Sequence, residues 1–298
     1  MAVFRVDNPA YAAVIDPDAP LDDKLNVLRS RLSKMGRVVV AYSGGVDSSL
    51  LAKVAHDTLG DHAVAVTAIS ASLPGSELTE AARVAEHIGV RHEVIHTHEL
   101  DNASYRRNDR MRCFHCKAEL FDRLQAYADA HEIPYMVYGP VVDDLGDFRP
   151  GMAASRQRGA HAPMVEAGLR KADVRQLARR FRLPTWDKPA QACLASRVAY
   201  GTEVTMTRLR QIEAAEALLR AEGLALLRVR HHDTIARIEV PVSALSLLVT
   251  DPERRQRVVD GIKAIGFTFV TLDLEGFRSG SMNDLLPTIE DNPSTNRS

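Results

Sequence analysis

The sequence predicts an α/β protein, a doubly wound parallel sheet of the kind that holds a nucleotide loop, followed by a smaller C-terminal α+β unit. Short, valine-rich apolar runs alternate with segments of helical periodicity through the first half of the chain. That is the pattern of strands buried on both faces and joined by crossover helices. Near residue 200 the order changes to helix, strand, strand, helix, strand. At 298 residues and 45% apolar composition, the chain can build one sizeable core and a second, smaller one.

Residues 1–20 read as an irregular extension. Leu21, Leu25, Leu28 and Leu32 recur at helical spacing across 21–35. RVVVAY at 37–42 is a buried parallel strand, followed by a helix over 49–59. Further strands are expected at 62–69 (HAVAVTAI), 92–96 (HEVIH) and 135–139 (YMVYG), with helices at 77–88 and 117–130. A helix over 171–181 leads into a long loop at 183–205. The C-terminal unit then reads as a helix at 207–222, strands at 225–231 and 235–240, a helix at 252–265 and a strand at 268–272. The expected division is therefore an extension at 1–20, a nucleotide-binding domain at 21–200, a substrate domain at 201–283 and a polar tail at 284–298.

A net charge of −1 gives no sign of bulk affinity for nucleic acid. No apolar run is long enough to cross a membrane. The N-terminal stretch has acidic residues at Asp7 and Asp16 and no long apolar centre, so no signal peptide is expected and the cytoplasm is the default. Three cysteines, Cys113, Cys116 and Cys193, are too few and odd in number for a disulfide framework.

Ser43-Gly44-Gly45-Val46-Asp47-Ser48-Ser49 lies between the first strand and its helix. The glycines allow a tight turn that aims several N–H groups at one anion, and the helix N-terminus adds its positive dipole end. Ser43, Ser48 and Ser49 add hydroxyls, and the absence of GxxxxGK[ST] excludes a Walker-type loop. The string resembles the PP-loop of the ATP-pyrophosphatases. The resemblance implies ATP cleaved between its α- and β-phosphates, with Ser43, Gly44, Gly45, Asp47 and Ser48 holding pyrophosphate and its Mg²⁺. Since Mg²⁺ takes one or two protein carboxylates beside phosphate oxygens, Asp47 is the first candidate ligand, and Asp143, Asp144 and Asp147 are others.

Cys113 and Cys116 form a C-x-x-C, and Cys193 lies far downstream. Alone, C-x-x-C fits redox, zinc or cluster chemistry, but a four-ligand zinc site lacks its second pair. Three thiolates can hold three irons of a 4Fe–4S cluster and leave the fourth open. Equally, a single thiolate can attack an activated carboxylate. Arg228 and Arg230 alternate along one strand and share a face, a fork-shaped donor pair suited to phosphate. Trp186, the single tryptophan, sits in the loop before Cys193 and reads more as packing than as a stacking platform.

SGGVDSS, RCFHCKAELF, DDLGDFRPG, KPAQACLASR, LRVRHHDTIARIEV and LDLEGFRSGSMN occur in that order and span nearly the whole chain. Together they resemble the LarE family of ATP-dependent sulfurtransferases in nickel-pincer nucleotide biosynthesis. The resemblance implies a small-molecule substrate, pyridinium-3,5-biscarboxylic acid mononucleotide, whose carboxylate is adenylated and then converted to a thiocarboxylate. It makes Cys193 catalytic and assigns Cys113, Cys116 and Cys193 to a 4Fe–4S cluster. The alternative within the family is sacrifice of the Cys193 sulfur, leaving dehydroalanine. It places Arg228, Arg230, Ser196, Arg197, Glu216 and Glu239 about the substrate, and it implies a homo-oligomer, with hexamers known among such proteins. One departure stands out. Gly139-Pro140-Val141-Val142 replaces the family's GTN-type turn and removes an asparagine donor. A tRNA-thiolating PP-loop enzyme is the rival, disfavoured by the charge balance and the C-terminal motifs.

Overall fold

The computed structural model describes residues 15–145, 150–189 and 192–278. In chain order the elements are α1 (Leu21–Met35), β1 (Val38–Ala41), α2 (Val46–Leu59), β2 (Ala63–Ile69), α3 (Gly75–Ile88), β3 (Arg91–His96), α4 (Ala103–Arg106), α5 (Arg112–Ala130), β4 (Tyr135–Val137), α6 (Pro150–Gln157), α7 (Pro163–Glu166) and α8 (Lys171–Arg180). Then come α9 (Met206–Ala221), β5 (Arg228–His232), β6 (Ile235–Glu239), α10 (Leu245–Val249), α11 (Pro252–Ala264) and β7 (Phe269–Leu272). The alternation and the all-parallel first sheet are those expected of the α/β class. Among the described residues, no helix is long and apolar enough to cross a membrane.

The chain forms two compact units. One takes the described residues of 15–105 and 111–192, the other 106–110 and 193–278. The second change from the first unit to the other falls at Ala192–Cys193. The turn Leu194–Arg197 already belongs with the C-terminal sheet, where Val198 bridges His231.

In the first unit the strands run β3-β2-β1-β4, all parallel. Val38 and Val40 enter one core with Leu28, Leu50, Val54, Val84 and Leu177, while Val39 enters the other with Phe121, Leu124 and Met136. Successive side chains of a strand point to opposite faces, so a strand covered on both reads as an unbroken apolar run. From β1 the chain steps outward to β2 and β3, then returns to pair β4 on the other side of β1. The switch point is thus between β1 and β4, where such sheets open a crevice at the strand C-termini.

In the second unit β5 and β6 pair antiparallel and β7 joins β6 in parallel. Leu219 of α9 and Val258 and Ile262 of α11 cover Val229, Ala236 and Ile238. Val229 therefore faces the core, and Arg228 and Arg230 occupy the opposite side of the strand.

The excursion 106–110 is pinned to this unit by Asn108, which is fully buried and has a left-handed φ of 56°. Its Nδ2 donates to the carbonyls of Val198, Ala199 and Thr202 at 3.2, 2.8 and 2.9 Å. Backbone bonds from Gly201 to Asn108 and from Val204 to Arg106 complete the seam. Asn108→Ala leaves buried carbonyls unsatisfied and puts a β-branch-free but αL-averse residue in a left-handed conformation. It should cost about 2–4 kcal/mol, read as a lower midpoint in urea unfolding.

Candidate functional site

The loop after β1 is built by close approaches. Gly44 has φ +70°, and a Cβ there would lie 2.8 Å from Cα of Ala81 in α3. At the end of β4, a Cβ on Gly139 would come within 3.3 Å of the Asp47 carbonyl carbon and the Ser48 amide nitrogen. The two hydroxyls of Ser43 and Ser48 stand 3.1 Å apart, and Ser48 Oγ also donates to the Gly45 carbonyl at 3.2 Å. The first helical bond of α2 runs from the Ser49 amide to Gly45 O. The preceding amides, of Val46, Asp47 and Ser48, are therefore the uncommitted donors of a helix N-terminus. Ser49, grouped from sequence with the loop hydroxyls, is wholly buried instead, on the core side of the helix.

The residue before the loop is held from behind. Tyr42 donates its hydroxyl to Ala81 O at 3.0 Å, and its own carbonyl accepts from Thr67 Oγ1 at 3.0 Å. Thr67 in turn meets His92 Nε2 at 2.8 Å. Burial pushes the Tyr42 phenol up to about 12 and lowers the His92 imidazole, in both cases favouring the neutral form.

Asp47 lies in the first turn of α2, and Lys171 Nζ reaches both its oxygens at 2.6 and 2.5 Å. The Lys171 amide donates to Asp143 at 2.8 Å, and the Val141 amide to Asp144 at 2.9 Å. Where the family turn would supply an asparagine, Asp144 thus caps the backbone. Asp147 lies outside the described residues. The carboxylate oxygens of Asp47 are the hard donors Mg²⁺ prefers, and a cationic ammonium already rests on them, so these residues fit a magnesium ion. Lys171 carried no motif; its only trace in the sequence is its place at the start of a helix after Gly168-Leu169-Arg170.

The stretch leading to Cys193 is strapped to α8. Arg175 donates to the carbonyls of Trp186 and Lys188 at 2.9 and 3.2 Å, and Lys188 pairs with Glu77 of α3 at 2.8 Å. Trp186 lies under the Arg179 guanidinium, 5.2 Å from its ring centre, as a packing partner.

Cys113 and Cys116 lie in the first turns of α5, three residues apart and so on one helical face. Cys113 is exposed, Cys116 partly so, and Cys193 is exposed just before the turn Leu194–Arg197; none of the three is in a disulfide. The Cys193 carbonyl accepts from Ser196 Oγ at 2.7 Å, Arg197 Nη1 at 2.8 Å and the Ser196 amide at 3.0 Å. Its main chain is thereby fixed while its sulfur meets solvent. Among the described residues, no three of His, Cys, Asp and Glu are grouped to hold one metal ion.

In the second unit the predicted substrate residues come together. Fully buried Glu216 takes Arg197 at 2.9 Å, Arg220 at 2.9 Å and the Val229 amide at 3.3 Å. Fully buried Glu239 takes Arg230 at 2.7 Å and Arg237 at 3.0 Å, and Arg230 also donates to Ser196 O. The two glutamates are thus anchors for arginines. Arg228 differs. It bonds the Leu227 carbonyl and lies over Phe277, with no carboxylate at ion-pair distance among the described residues. Burial, then the nearby Arg197 and Arg230 charges, pull its guanidinium down to about 10, with Glu216 opposing. A buried guanidinium with no carboxylate at ion-pair distance has donors that an anion can take.

His231 was not singled out from sequence. It is buried, touches Gln211 Oε1 at 3.1 Å and packs on Phe267. Burial, and then Arg208, hold its imidazole down at about 4.

The asparagine synthase family matches residues 26–113. An uncharacterised protein of Synechocystis is 44% identical over 266 residues, 89% of this chain and 99% of its own length. The pyridinium-3,5-bisthiocarboxylic acid mononucleotide synthase of Lactiplantibacillus plantarum is 37% identical over 271 residues, 90% of this chain and 96% of its own. A tRNA-specific 2-thiouridylase of Xanthobacter autotrophicus is more distant, 29% identical over 80% of this chain and 72% of its own.

The acid limb of stability should report His231. A histidine whose folded pKa is depressed contributes stability that is present above the unfolded value of 6.5 and is lost as the pH falls toward about 4. His231→Gln should therefore lose less melting temperature than the parent between about pH 7 and about pH 5, measured by scanning calorimetry.

Proposed function

The chain belongs to the LarE family of PP-loop sulfurtransferases, and on that premise we propose that it converts a carboxylate of pyridinium-3,5-biscarboxylic acid mononucleotide to a thiocarboxylate at the expense of ATP. The observation that carries this reading is the pairing of an anion loop bearing Asp47 with a second, separate anion receptor at Arg228. The first suits the phosphates of ATP, the second the phosphate of a nucleotide substrate.

In the first half-reaction a carboxylate oxygen of the substrate attacks the α-phosphorus. The α–β phosphoanhydride bond breaks, and pyrophosphate leaves with the bonding electrons. The amides of Val46, Asp47 and Ser48 receive the growing negative charge, and Ser43 and Ser48 keep the loop in shape. Mg²⁺ on Asp47 would neutralise phosphate oxygens. In the second half-reaction a sulfur nucleophile adds to the acyl carbon, the bond to AMP breaks, and AMP leaves. Cys193 is the catalytic thiol, with Ser196 and Arg197 fixing its carbonyl.

The occurrence of Cys113 and Cys116 in the sequence in addition to Cys193 supports sulfur held on a 4Fe–4S cluster, whose open iron would carry the extra sulfide. The alternative is loss of the Cys193 sulfur itself. There, the Cα proton and the Cβ–S bond are given up together, and dehydroalanine remains. Arg228 and Arg230 grip the substrate phosphate, with Glu216 and Glu239 setting the arginine network. The enzyme works in the cytoplasm as a homo-oligomer, a reading supported by exposed Val242, Val249 and Leu274 on the second unit. Its nucleotide-binding domain ends near residue 200.

Anaerobic protein given ATP, Mg²⁺ and the dicarboxylate mononucleotide should release AMP and pyrophosphate and replace substrate oxygen by sulfur, followed by mass spectrometry. No pyrophosphate release would sink the reading. Cys193→Ala should abolish transfer while leaving adenylation. Cys113→Ala should abolish transfer if the cluster delivers sulfur, and should leave one turnover with dehydroalanine at position 193 if Cys193 is consumed. Arg228→Met should raise the KM for the mononucleotide by at least about tenfold with little change in that for ATP. Salt-sensitive binding of bulk tRNA would favour the thiouridylase reading instead.

A further inference from the structure

We infer that Lys171 is a built-in counter-cation, which a divalent metal has to displace from Asp47 before the phosphate loop can work. This rests on the reading that the loop takes Mg²⁺ with ATP, and it adds a control step to it.

The ammonium occupies both oxygens of the Asp47 carboxylate, at 2.6 and 2.5 Å. The ammonium bonds both oxygens, and a metal set on that face at ligand distances near 2.0–2.1 Å would meet its positive charge at close range, so the two compete for the carboxylate. The pair is also open to exchange, since the Lys171 and Asp47 side chains keep 38% and 30% of their exposure. Their main chains, by contrast, are fixed. The Lys171 amide is tied to Asp143, and α8 begins with Asp173 capping the Arg170 amide at 2.9 Å. Only the four-carbon stem is free to move, and a flexible lysine stem is suited to that.

Two consequences follow from elementary electrostatics. Without nucleotide, the carboxylate is neutralised by Lys171, so the loop presents no bare negative charge to an incoming triphosphate. Free metal at low concentration meets an occupied carboxylate and binds weakly. Metal arriving with ATP brings a double positive charge and phosphate oxygens as further ligands, and it displaces the ammonium. The freed ammonium is left beside the uncommitted amides of Val46, Asp47 and Ser48, where it faces anionic oxygen. Metal entry is therefore coupled to nucleotide entry, and a cation is released where phosphate charge has to be held.

The test is a titration of nucleotide-free protein with Mn²⁺ alone, free Mn²⁺ being read by electron paramagnetic resonance. Lys171→Met should bind one Mn²⁺ about tenfold more tightly than the parent, equivalent to ~1.4 kcal/mol. Adding Asp47→Asn to that variant should abolish the gain. Lys171→Gln repeats the measurement with a polar side chain, should the methionine variant fold poorly by circular dichroism. Equal Mn²⁺ affinity in the parent and both Lys171 variants would overturn the inference, as would a gain that survives Asp47→Asn. The titration contains no ATP, so its outcome stands apart from the pyrophosphate assay that tests the proposed function.

Discussion

At the mouth of the four-stranded sheet the main chain comes close to itself, closer at Gly44 than a β-carbon allows and tightly at Gly139. Gly44 lies against Ala81 of α3, and Gly139 lies against the carbonyl of Asp47 and the amide of Ser48. These two contacts fix the exits of β1 and β4 and the face of α3 around one loop. Everything else in the first unit is placed relative to it. Asp143 lies four residues beyond Gly139, in the turn Val142–Leu145. Lys171 links Asp143 and Asp47, with its amide on one carboxylate and its ammonium on the other. The rest of α8 then carries Arg175 and Arg179 to the strap that runs toward Cys193.

The second unit solves a different problem, which is how to hold several guanidinium groups together out of water. Burying an ion is costly unless it is paired and its remaining donors are bonded. Glu216 and Glu239, both fully buried, meet that condition by each taking two arginines. Arg237 has a further partner in Asp273 at 3.6 Å. The paired arginines are thereby held by carboxylates, whereas Arg228 has a carbonyl and a phenyl ring against it, with Arg197 and Arg230 opposing its charge and Glu216 favouring it. Such a group is already desolvated and oriented before any ligand arrives, which lowers the ordering cost of binding.

Much of this architecture was legible in the sequence. The four parallel strands announced themselves because strands buried on both faces are unbroken apolar runs. The phosphate loop did so because glycine and serine between strand and helix have few other reasons to cluster. The short helices Ala103–Arg106, Pro150–Gln157, Pro163–Glu166 and Leu245–Val249 were missed, since one or two turns show no periodicity. The first strand of the second unit was expected from 225, but it starts at Arg228, because the chain leaves α9 through Gly223 at φ +91° and spends Leu224 and Leu227 on packing before it pairs. Lys171, Asn108 and His231 were invisible for a common reason. Each owes its role to residues far along the chain, and a lone polar residue carries no pattern. The family of the site was legible through its motifs. The distinct states of its arginines were not, because Arg228 and Arg230 look alike until their partners are known.

The segment Arg106–Arg110 gives the chain an unusual ancestry of connections. It leaves the first unit, is claimed by the second through Asn108, and returns in time to begin α5. The polypeptide thus passes between the units three times, although only the last passage looks like a domain boundary. Neither half can be exchanged as a cassette by cutting once near residue 192. A shuffled or permuted gene would have to carry these five residues with the C-terminal half or redesign the 198–204 turn that receives them. A cut at residue 192 alone would separate the 198–204 turn from the Asn108 side chain that bonds three of its carbonyls.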